Sequence, residues 1–274
     1  MRAYYNEHDP FAAAWLRNLI DAGHIAPGDV DERSIEDVHP SDLAGYTQCH
    51  FFAGIGVWSH ALRQAGWADD RPVWTGSCPC QPFSAAGKGA GVADERHLWP
   101  AFHHLIAQCR PGVVFGEQVA SAIRHGWLDL VSADLEAEGY AVGGAVLGAH
   151  SVGAPHIRQR MYWVGMGDSE CNGLRGSRRA TANEPDKSGN REISRMVQPS
   201  RPGLLACWSD AEWIECRDGK LRPVEPGTFP LAHGVSARVV RLRGYGNAIV
   251  PQVAAAFVRA FMDVASEAEN EAAA

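Results

Sequence analysis

The sequence lacks any long apolar run, so it has no candidate membrane span, which would need roughly 18 or more apolar residues in a row. The N-terminal region has Glu7, His8 and Asp9 where a secretory signal peptide would carry its apolar segment. The seven cysteines are odd in number and lack the regular spacing of a disulfide framework. We therefore expect a cytoplasmic protein with reduced thiols and no membrane partner.

The spacings of two common cofactor sites are also missing. Cys78 and Cys80 are separated by one residue, which is too close for the usual pair of zinc ligands, so we expect no metal ion. The turn at Gly54 and Gly56 lacks the third glycine of a dinucleotide fingerprint, because Trp58 lies in that region instead. A nicotinamide-dependent oxidoreductase is therefore disfavoured.

Negative charge dominates overall, with a formal net charge of −7, but it is unevenly distributed. Residues 1–45 carry nine acids against three bases. Residues 156–203 instead carry nine arginines and lysines against five acids, and residues 217–243 carry six against two. Such basic segments either bind nucleic-acid phosphates or are solvated surface, and charge alone leaves both interpretations open.

The pattern of apolar residues favours an α/β fold. Strand-like runs alternate with helix-like ones, which predicts a doubly wound, mostly parallel sheet. The predicted strands cover residues 1–5, 34–38, 47–52, 72–78, 112–116, 140–148 and 161–165, and the predicted helices cover 11–22, 58–66, 98–109, 127–138 and 251–265. Periodicity is lost over residues 168–203, where we predict a loop-rich, mobile insertion.

Cys80 lies between two prolines, in the order Pro79-Cys80-Gln81-Pro82, directly before a glycine-rich segment. Each proline fixes its own φ and withholds a donor, whereas the glycines after it give the next loop freedom to open and close. A lone cysteine is more often a small buried core residue than an attacking thiolate. The other motifs of the chain decide between the two.

Four more short motifs accompany the cysteine. In chain order the five are Phe52-Ala53-Gly54-Ile55-Gly56, Pro79-Cys80-Gln81, Glu117-Gln118-Val119, Arg158-Gln159-Arg160, and Gly246-Asn247 within the segment 244–251. Together they resemble the FxGxG, PCQ, ENV, RxR and GNxV motifs of the C5-cytosine DNA methyltransferase family, of the bacterial and phage restriction-modification type. The resemblance covers most of the chain apart from about residues 168–235.

The resemblance implies a Rossmann-like methyltransferase domain made of residues 1–165 and 244–274. Residues 166–243 would form a small, loop-rich target-recognition region that includes the segment 168–203. It implies double-stranded DNA as partner, and we expect a monomer.

S-adenosylmethionine is the implied cofactor. A carboxylate is a natural partner for a ribose diol, because it accepts two hydroxyl donors, and Glu7 is the candidate, with His8 beside it. The other implied contacts are Phe52, Ala53, Gly54, Ile55, Gly56 and Trp58 at the methionine and ribose, Ile35 or Val30 along the adenine, Ser34 or Asp29 at its amine, Leu98 on the other adenine face, and Asn247 with Ala248 over the methionine tail.

The implied chemistry begins with Cys80, whose thiolate would add to C6 of cytosine and activate C5. Glu117 would stabilise the charge that builds at N3 and bind the exocyclic amine, which requires a raised pKa in a closed pocket. Arg160 would bind O2, and Arg158 would bind a flanking phosphate or Glu117 itself. The target base must leave the duplex for this reaction.

Gln81, Ser84 and Lys88, which follow the cysteine, are the implied DNA contacts. The same motifs occur in a tRNA-modifying branch, so an RNA cytosine-C5 methyltransferase stays open. A C5 alkyltransferase that uses a modified S-adenosylmethionine and a catalytically silent DNA-binding module are further alternatives.

Three features depart from the family pattern. The acidic segment at Glu7 precedes Phe52, whereas the family begins with the FxGxG strand, so the chain resembles a circular permutation. A strand at residues 3–5 should then lie parallel to and beside the strand at 47–52, with Glu7 within about 10 Å of the Gly54 turn. His50 replaces an aspartate and would lie near the methionine end, where it could admit an acidic cofactor analogue. Gln118 replaces the asparagine that positions the cysteine loop.

Overall fold

The computed structural model describes residues 2–79, 98–154, 156–167, 212–215, 221–224 and 246–273. The described helices and strands, in chain order, are β1 (Ala3–Asn6), α1 (Pro10–Asp21), β2 (Gly28–Asp31), β3 (Gln48–Phe51), α2 (Val57–Ala65), β4 (Val73–Gly76), α3 (Trp99–Cys109), β5 (Val113–Val119), α4 (Trp127–Ala137), β6 (Tyr140–Gly148), β7 (Gln159–Gly167), β8 (Glu212–Glu215), β9 (Leu221–Val224) and α5 (Pro251–Ala273). None of these helices combines the length and apolar character needed to cross a membrane.

Seven strands form one sheet in the order β2-β1-β3-β4-β5-β7-β6. Strands β1 to β5 pair in parallel, and β7 runs antiparallel to both of its neighbours. The predicted doubly wound, mostly parallel sheet is confirmed. Because β7 runs in the opposite direction, its first residues lie at the sheet edge where β1, β3, β4 and β5 end.

The predicted permuted arrangement of the first strands is confirmed. Strand β1 lies parallel to β3, with Tyr5 opposite His50 and Asn6 opposite Phe51, and β4 lies on the other side of β3. The residues that follow β1 and β3 therefore meet at the same edge of the sheet, where open α/β sheets bind ligands.

The predicted strand over residues 34–38 is wrong. Here Ser34 caps a short 3-10 helix, Ile35–Asp37, and its hydroxyl accepts a hydrogen bond from the Glu36 amide. The true strand is β2, an edge strand whose four residues are all partly exposed. Its sequence, Gly-Asp-Val-Asp, lacks the apolar pattern of a buried strand. The apolar periodicity therefore predicts a strand at residues 34–38 instead.

Helices cover both faces of the sheet, and the strands alternate between two apolar clusters. In β5, Val114 packs in the cluster that contains Trp99 and Phe102 of α3. Its neighbour Phe115 packs in the cluster that contains Trp58 of α2 and Val253 of α5. Burial on both faces explains why β5 is almost continuously apolar until Glu117.

Strands β8 and β9 form an antiparallel pair inside the region predicted to recognise the target. The prediction for residues 168–203 lies outside the described residues, and the domain boundaries remain a prediction.

Candidate active site

A crevice of about 490 Å³ opens at the carboxyl ends of the central strands. It gathers the ends of β1, β3, β4 and β5, the start of β7 and the turn before α5. The residues predicted from the sequence that line it are Glu7, Phe52, Ala53, Gly54, Ile55, Trp58, Glu117, Arg160, Asn247 and Ala248. The sheet thus brings together both halves of the predicted site, although Glu7 and Asn247 lie near opposite ends of the chain.

Glu7 is held by the backbone at one end of the crevice. Its Oε2 accepts a hydrogen bond from the Gly54 amide at 2.7 Å, and its Oε1 accepts one from the Asp9 amide at 2.9 Å. Gly54 and Gly56 have φ angles of +54° and +76°, which glycine adopts without steric cost. These contacts confirm that Glu7 lies at the Gly54 turn, as the permuted arrangement predicts.

Phe52, at the start of this turn, has a strained backbone conformation. Its φ of +51° is unusual for a residue with a side chain and is held by the surrounding contacts. The ring lies edge-on to Phe102 with centroids 6.2 Å apart, and the next amide, that of Ala53, donates to the Asn6 carbonyl. Phe52 therefore presents its ring to the crevice from a rigid position.

Glu117 occupies the other end of the crevice and is only 8% exposed. Its Oε1 lies 2.9 Å from Nε of Arg160. Burial raises the pKa of Glu117 from its ordinary value of 4.5 to about 7, although Arg160, Arg158 and a hydrogen bond with Ser77 act in the opposite direction. A carboxyl group of this kind exchanges a proton near neutral pH.

Ser77 is a crevice residue that sequence reasoning missed. It directly follows β4, lines the crevice, and accepts a hydrogen bond from Nε1 of Trp58 at 2.9 Å. One signal could have revealed it: Ser77 and Glu117 are the polar residues at corresponding positions of neighbouring parallel strands, because Gly76 lies opposite Gly116.

Arg158 has contacts different from those predicted. One of its terminal nitrogens donates to the carbonyl of Gly246 at 2.7 Å and also to that of Ala248. The side chain thus fixes the turn that carries Asn247. Arg158 therefore holds the turn at Asn247 and Arg160 holds Glu117, while the charge of Arg158 also acts on Glu117.

His50 lies in the core and is not among the crevice-lining residues. Its ring stacks on Tyr5, and Nδ1 lies 2.8 Å from the Thr75 hydroxyl. Burial lowers the pKa of His50 to about 3, so the ring is neutral at physiological pH. The expected place for His50 beside the methionine end is wrong, and His50 gives an acidic cofactor analogue no support.

Gln118 is buried next to Cys78. Its Nε2 donates to the Cys78 carbonyl at a long 3.4 Å, and its Oε1 accepts from the Val119 amide. Burial raises the pKa of the Cys78 thiol, which keeps it protonated. Cys78 is therefore suited to packing rather than to nucleophilic attack.

Several other predicted residues do not line the crevice. Gly56 caps α2, and Ile35 is buried in the core with Tyr4. Ser34 caps the 3-10 helix, and the ring of His8 contacts the Glu32 carbonyl. Leu98 packs against the core, and Val30 packs near α1. Asp29 accepts a hydrogen bond from the Tyr46 hydroxyl. Cys80, Gln81, Ser84 and Lys88 lie outside the described residues.

Open, mostly parallel α/β sheets bind ligands in the crevice at the carboxyl ends of their strands, which is where Glu7, Asp9 and Glu117 lie. Residues 69–200 match the family model of the C-5 cytosine-specific DNA methylase. The type II methyltransferase M.BanI of Aneurinibacillus aneurinilyticus is 31% identical over 62% of this chain and 41% of its own length. M.HaeII of Haemophilus aegyptius is 33% identical over 58% of this chain and 43% of its own length. These matches show that residues 69–200 of the chain are similar to the C-5 cytosine-specific DNA methylase family.

The chain spans less than half the length of these two curated relatives. Among solved structures, the Dnmt2 methyltransferase of S. pombe aligns with a TM-score of 0.37 and 14% identity, over 61% of this chain and 51% of that one.

Proposed function

We propose that this chain is a DNA cytosine-5 methyltransferase that uses S-adenosylmethionine. The observation that carries the proposal is the buried Glu117, which is paired with Arg160 in the crevice that the Glu7–Gly54 contact also borders. Pro79, the residue before Cys80, lines the same crevice. A thiol, a carboxyl group that titrates near neutral pH and an arginine are the groups that cytosine C5 chemistry requires.

The residues at the Glu7 end fit S-adenosylmethionine. Each carboxylate oxygen of Glu7 accepts one backbone hydrogen bond and has capacity for a second, so both can still accept a ribose hydroxyl. The Phe52 ring, which lines the same crevice, offers an apolar surface beside the methionine and ribose. When bound, S-adenosylmethionine supplies an electrophilic methyl group.

The residues at the Glu117 end handle the base. The Cys80 thiolate adds to C6 of a flipped-out cytosine, and the electron pair of the C5–C6 double bond moves towards C5 and N3. Neutral Glu117 hydrogen-bonds to N3 and reduces the cost of that charge, while Arg160 binds O2. After C5 has accepted the methyl group, a water molecule takes the C5 proton, the C5–C6 double bond re-forms, and the Cys80–C6 bond breaks, which restores the thiolate.

Duplex DNA is the proposed substrate, and tRNA is the alternative that an experiment must separate from it. We expect label from tritiated S-adenosylmethionine to enter duplex DNA and not tRNA. Bisulfite sequencing of DNA from cells that express the protein would then give the target site. Labelling of tRNA alone would assign the chain to the RNA branch.

Cys80→Ala tests the covalent step, with Cys78→Ala as the matched control. Loss of a covalent step lowers methyl transfer by about three or more powers of ten, whereas cofactor binding is retained. Cys78→Ala should retain most of the activity, because that thiol is buried and protonated. A Cys80→Ala variant that kept a few per cent of wild-type turnover would refute the mechanism.

A further inference from the structure

We propose that Ser77 is a positioning residue for Glu117 and that the indole of Trp58 fixes the direction of the Ser77 hydrogen bond. The proposal concerns the same crevice and rests on the proposed function for its catalytic meaning. Its structural part stands on the contacts of three side chains.

Strand pairing places Ser77 and Glu117 side by side. Strands β4 and β5 are parallel neighbours, and Gly76, the last residue of β4, lies opposite Gly116, so Ser77, which follows β4, is level with Glu117. Both line the crevice. A serine hydroxyl in this position can donate to the carboxylate.

The donor and acceptor roles follow from the chemistry of the groups. An indole N–H donates and never accepts, so Ser77 Oγ must accept the 2.9 Å hydrogen bond from Nε1 of Trp58. The single hydroxyl proton of Ser77 is then available for the neighbouring carboxyl group of Glu117, on which Ser77 acts to favour the ionised form. Arg160 contacts Oε1 of the same carboxyl group.

Trp58 can fix this direction because it is itself immobile. The side chain is 5% exposed, and its ring is stacked on Phe115 with an interplanar angle of 20°. It also meets Tyr162 edge-on. Trp58 belongs to α2, which begins at the Gly56 turn, so two side chains connect the glycine turn of the cofactor end to the carboxyl group of the base end.

The hydrogen bond from Ser77 favours the ionised form of Glu117, in opposition to burial. The charged and titratable groups that act on Glu117 in the described part of the chain are Arg160, Arg158 and Tyr162. Removal of the hydroxyl leaves these groups in place and should raise the pKa of Glu117 further. The neutral form of Glu117 would then persist to higher pH.

The direct test is a carbon-13 NMR titration of the Glu117 carboxyl group in the labelled protein without nucleic acid. The Glu117 signal is assigned by its loss in Glu117→Gln. We expect Ser77→Ala to raise the pKa of Glu117 by about one pH unit, Trp58→Phe to raise it by less, and Ser77→Thr to restore the wild-type value. A Ser77→Ala titration identical to wild type would overturn the proposal, and Ser77→Gly serves the same purpose if Ser77→Ala does not fold.

Ser59→Ala is the matched control, because it removes a buried serine hydroxyl one residue from Trp58. Ser59 bonds to Tyr5 and to the Ala26 amide, away from the crevice. We expect this variant to lose stability without a change in the Glu117 titration. A shift as large as that of Ser77→Ala would mean that general loosening of the fold causes the effect.

Methyl-transfer assays give the second readout. Ser77→Ala should move the alkaline fall of the pH–turnover profile upwards and leave the affinity for S-adenosylmethionine unchanged. If no variant transfers a methyl group, the proposed function fails, but the titration still decides the role of Ser77. If methyl transfer is normal and the pH profile of Ser77→Ala matches wild type, only the inference about Ser77 fails.

Discussion

The two ends of the crevice hold a carboxylate in different ways. Glu7 receives hydrogen bonds from two backbone amides of nearby turns, which fix its orientation. Glu117 is buried among side chains, with Arg160 and Ser77 as partners and a pKa raised to about 7. A carboxylate held by the backbone is suited to accepting hydrogen bonds from a ligand, whereas a desolvated one is suited to exchanging a proton. Under the proposed function, this sheet edge provides a binding group at one end and a proton-exchanging group at the other.

Of the substitutions considered, Glu117→Gln should produce the largest loss of turnover. The variant keeps the shape of the side chain but loses the exchangeable proton, so turnover should fall by about a hundredfold or more, which is about 3 kcal/mol in the transition state. Single-turnover methyl transfer measures this effect. Unchanged turnover with weakened DNA affinity would show that Glu117 serves only in recognition.

Burial of Glu117 should also make stability depend on pH. Because the pKa is raised from 4.5 to about 7, the folded state binds the proton more tightly than the unfolded state. This contribution to stability is fully present below pH 4.5 and is lost as pH rises through about 7, with a total of roughly 3 kcal/mol. Urea unfolding of the wild type and Glu117→Gln across this range measures the difference, and parallel pH curves would contradict it.

Substitutions of Arg158 and Arg160 should have different effects, one on cofactor binding and the other on turnover. Arg158→Ala removes the hydrogen bonds that fix the turn at Asn247, so it should weaken binding of S-adenosylmethionine by about 1–2 kcal/mol. Arg160→Ala removes the partner of Glu117 and should reduce turnover at saturating cofactor. Calorimetric cofactor binding and single-turnover rates distinguish the two, and identical phenotypes would argue against separate tasks.

Gln118→Asn should have the smallest effect. The contact of its Nε2 with the Cys78 carbonyl is long, at 3.4 Å, so its loss should cost under about 1 kcal/mol. We expect turnover to change by about threefold and cofactor affinity to stay constant. A change of a hundredfold would mean that Gln118 controls the cysteine loop much more strongly than this contact suggests.

The sequence predicted the sheet well where apolar runs were buried, and it predicted the place of β1 because Glu7 had a recognisable partner in the Gly54 turn. It failed at β2, since an exposed edge strand needs no apolar pattern.

At the site, the motif residues identified Glu117 and Arg160, but not the contacts that orient them. Ser77 gave no motif signal, and Arg158 lies 88 residues before Gly246, its partner in the turn, so only the folded arrangement reveals either contact.

Calorimetric titration of S-adenosylmethionine into Glu7→Ala and Glu117→Gln tests the division between the two ends most directly. Loss of Glu7 removes the proposed ribose acceptor and should weaken binding by about 1–3 kcal/mol, or roughly ten- to a hundredfold. Glu117→Gln should bind S-adenosylmethionine as the wild type does. Wild-type affinity in Glu7→Ala, or an equal loss in both variants, would contradict the assignment of binding to one carboxylate and chemistry to the other.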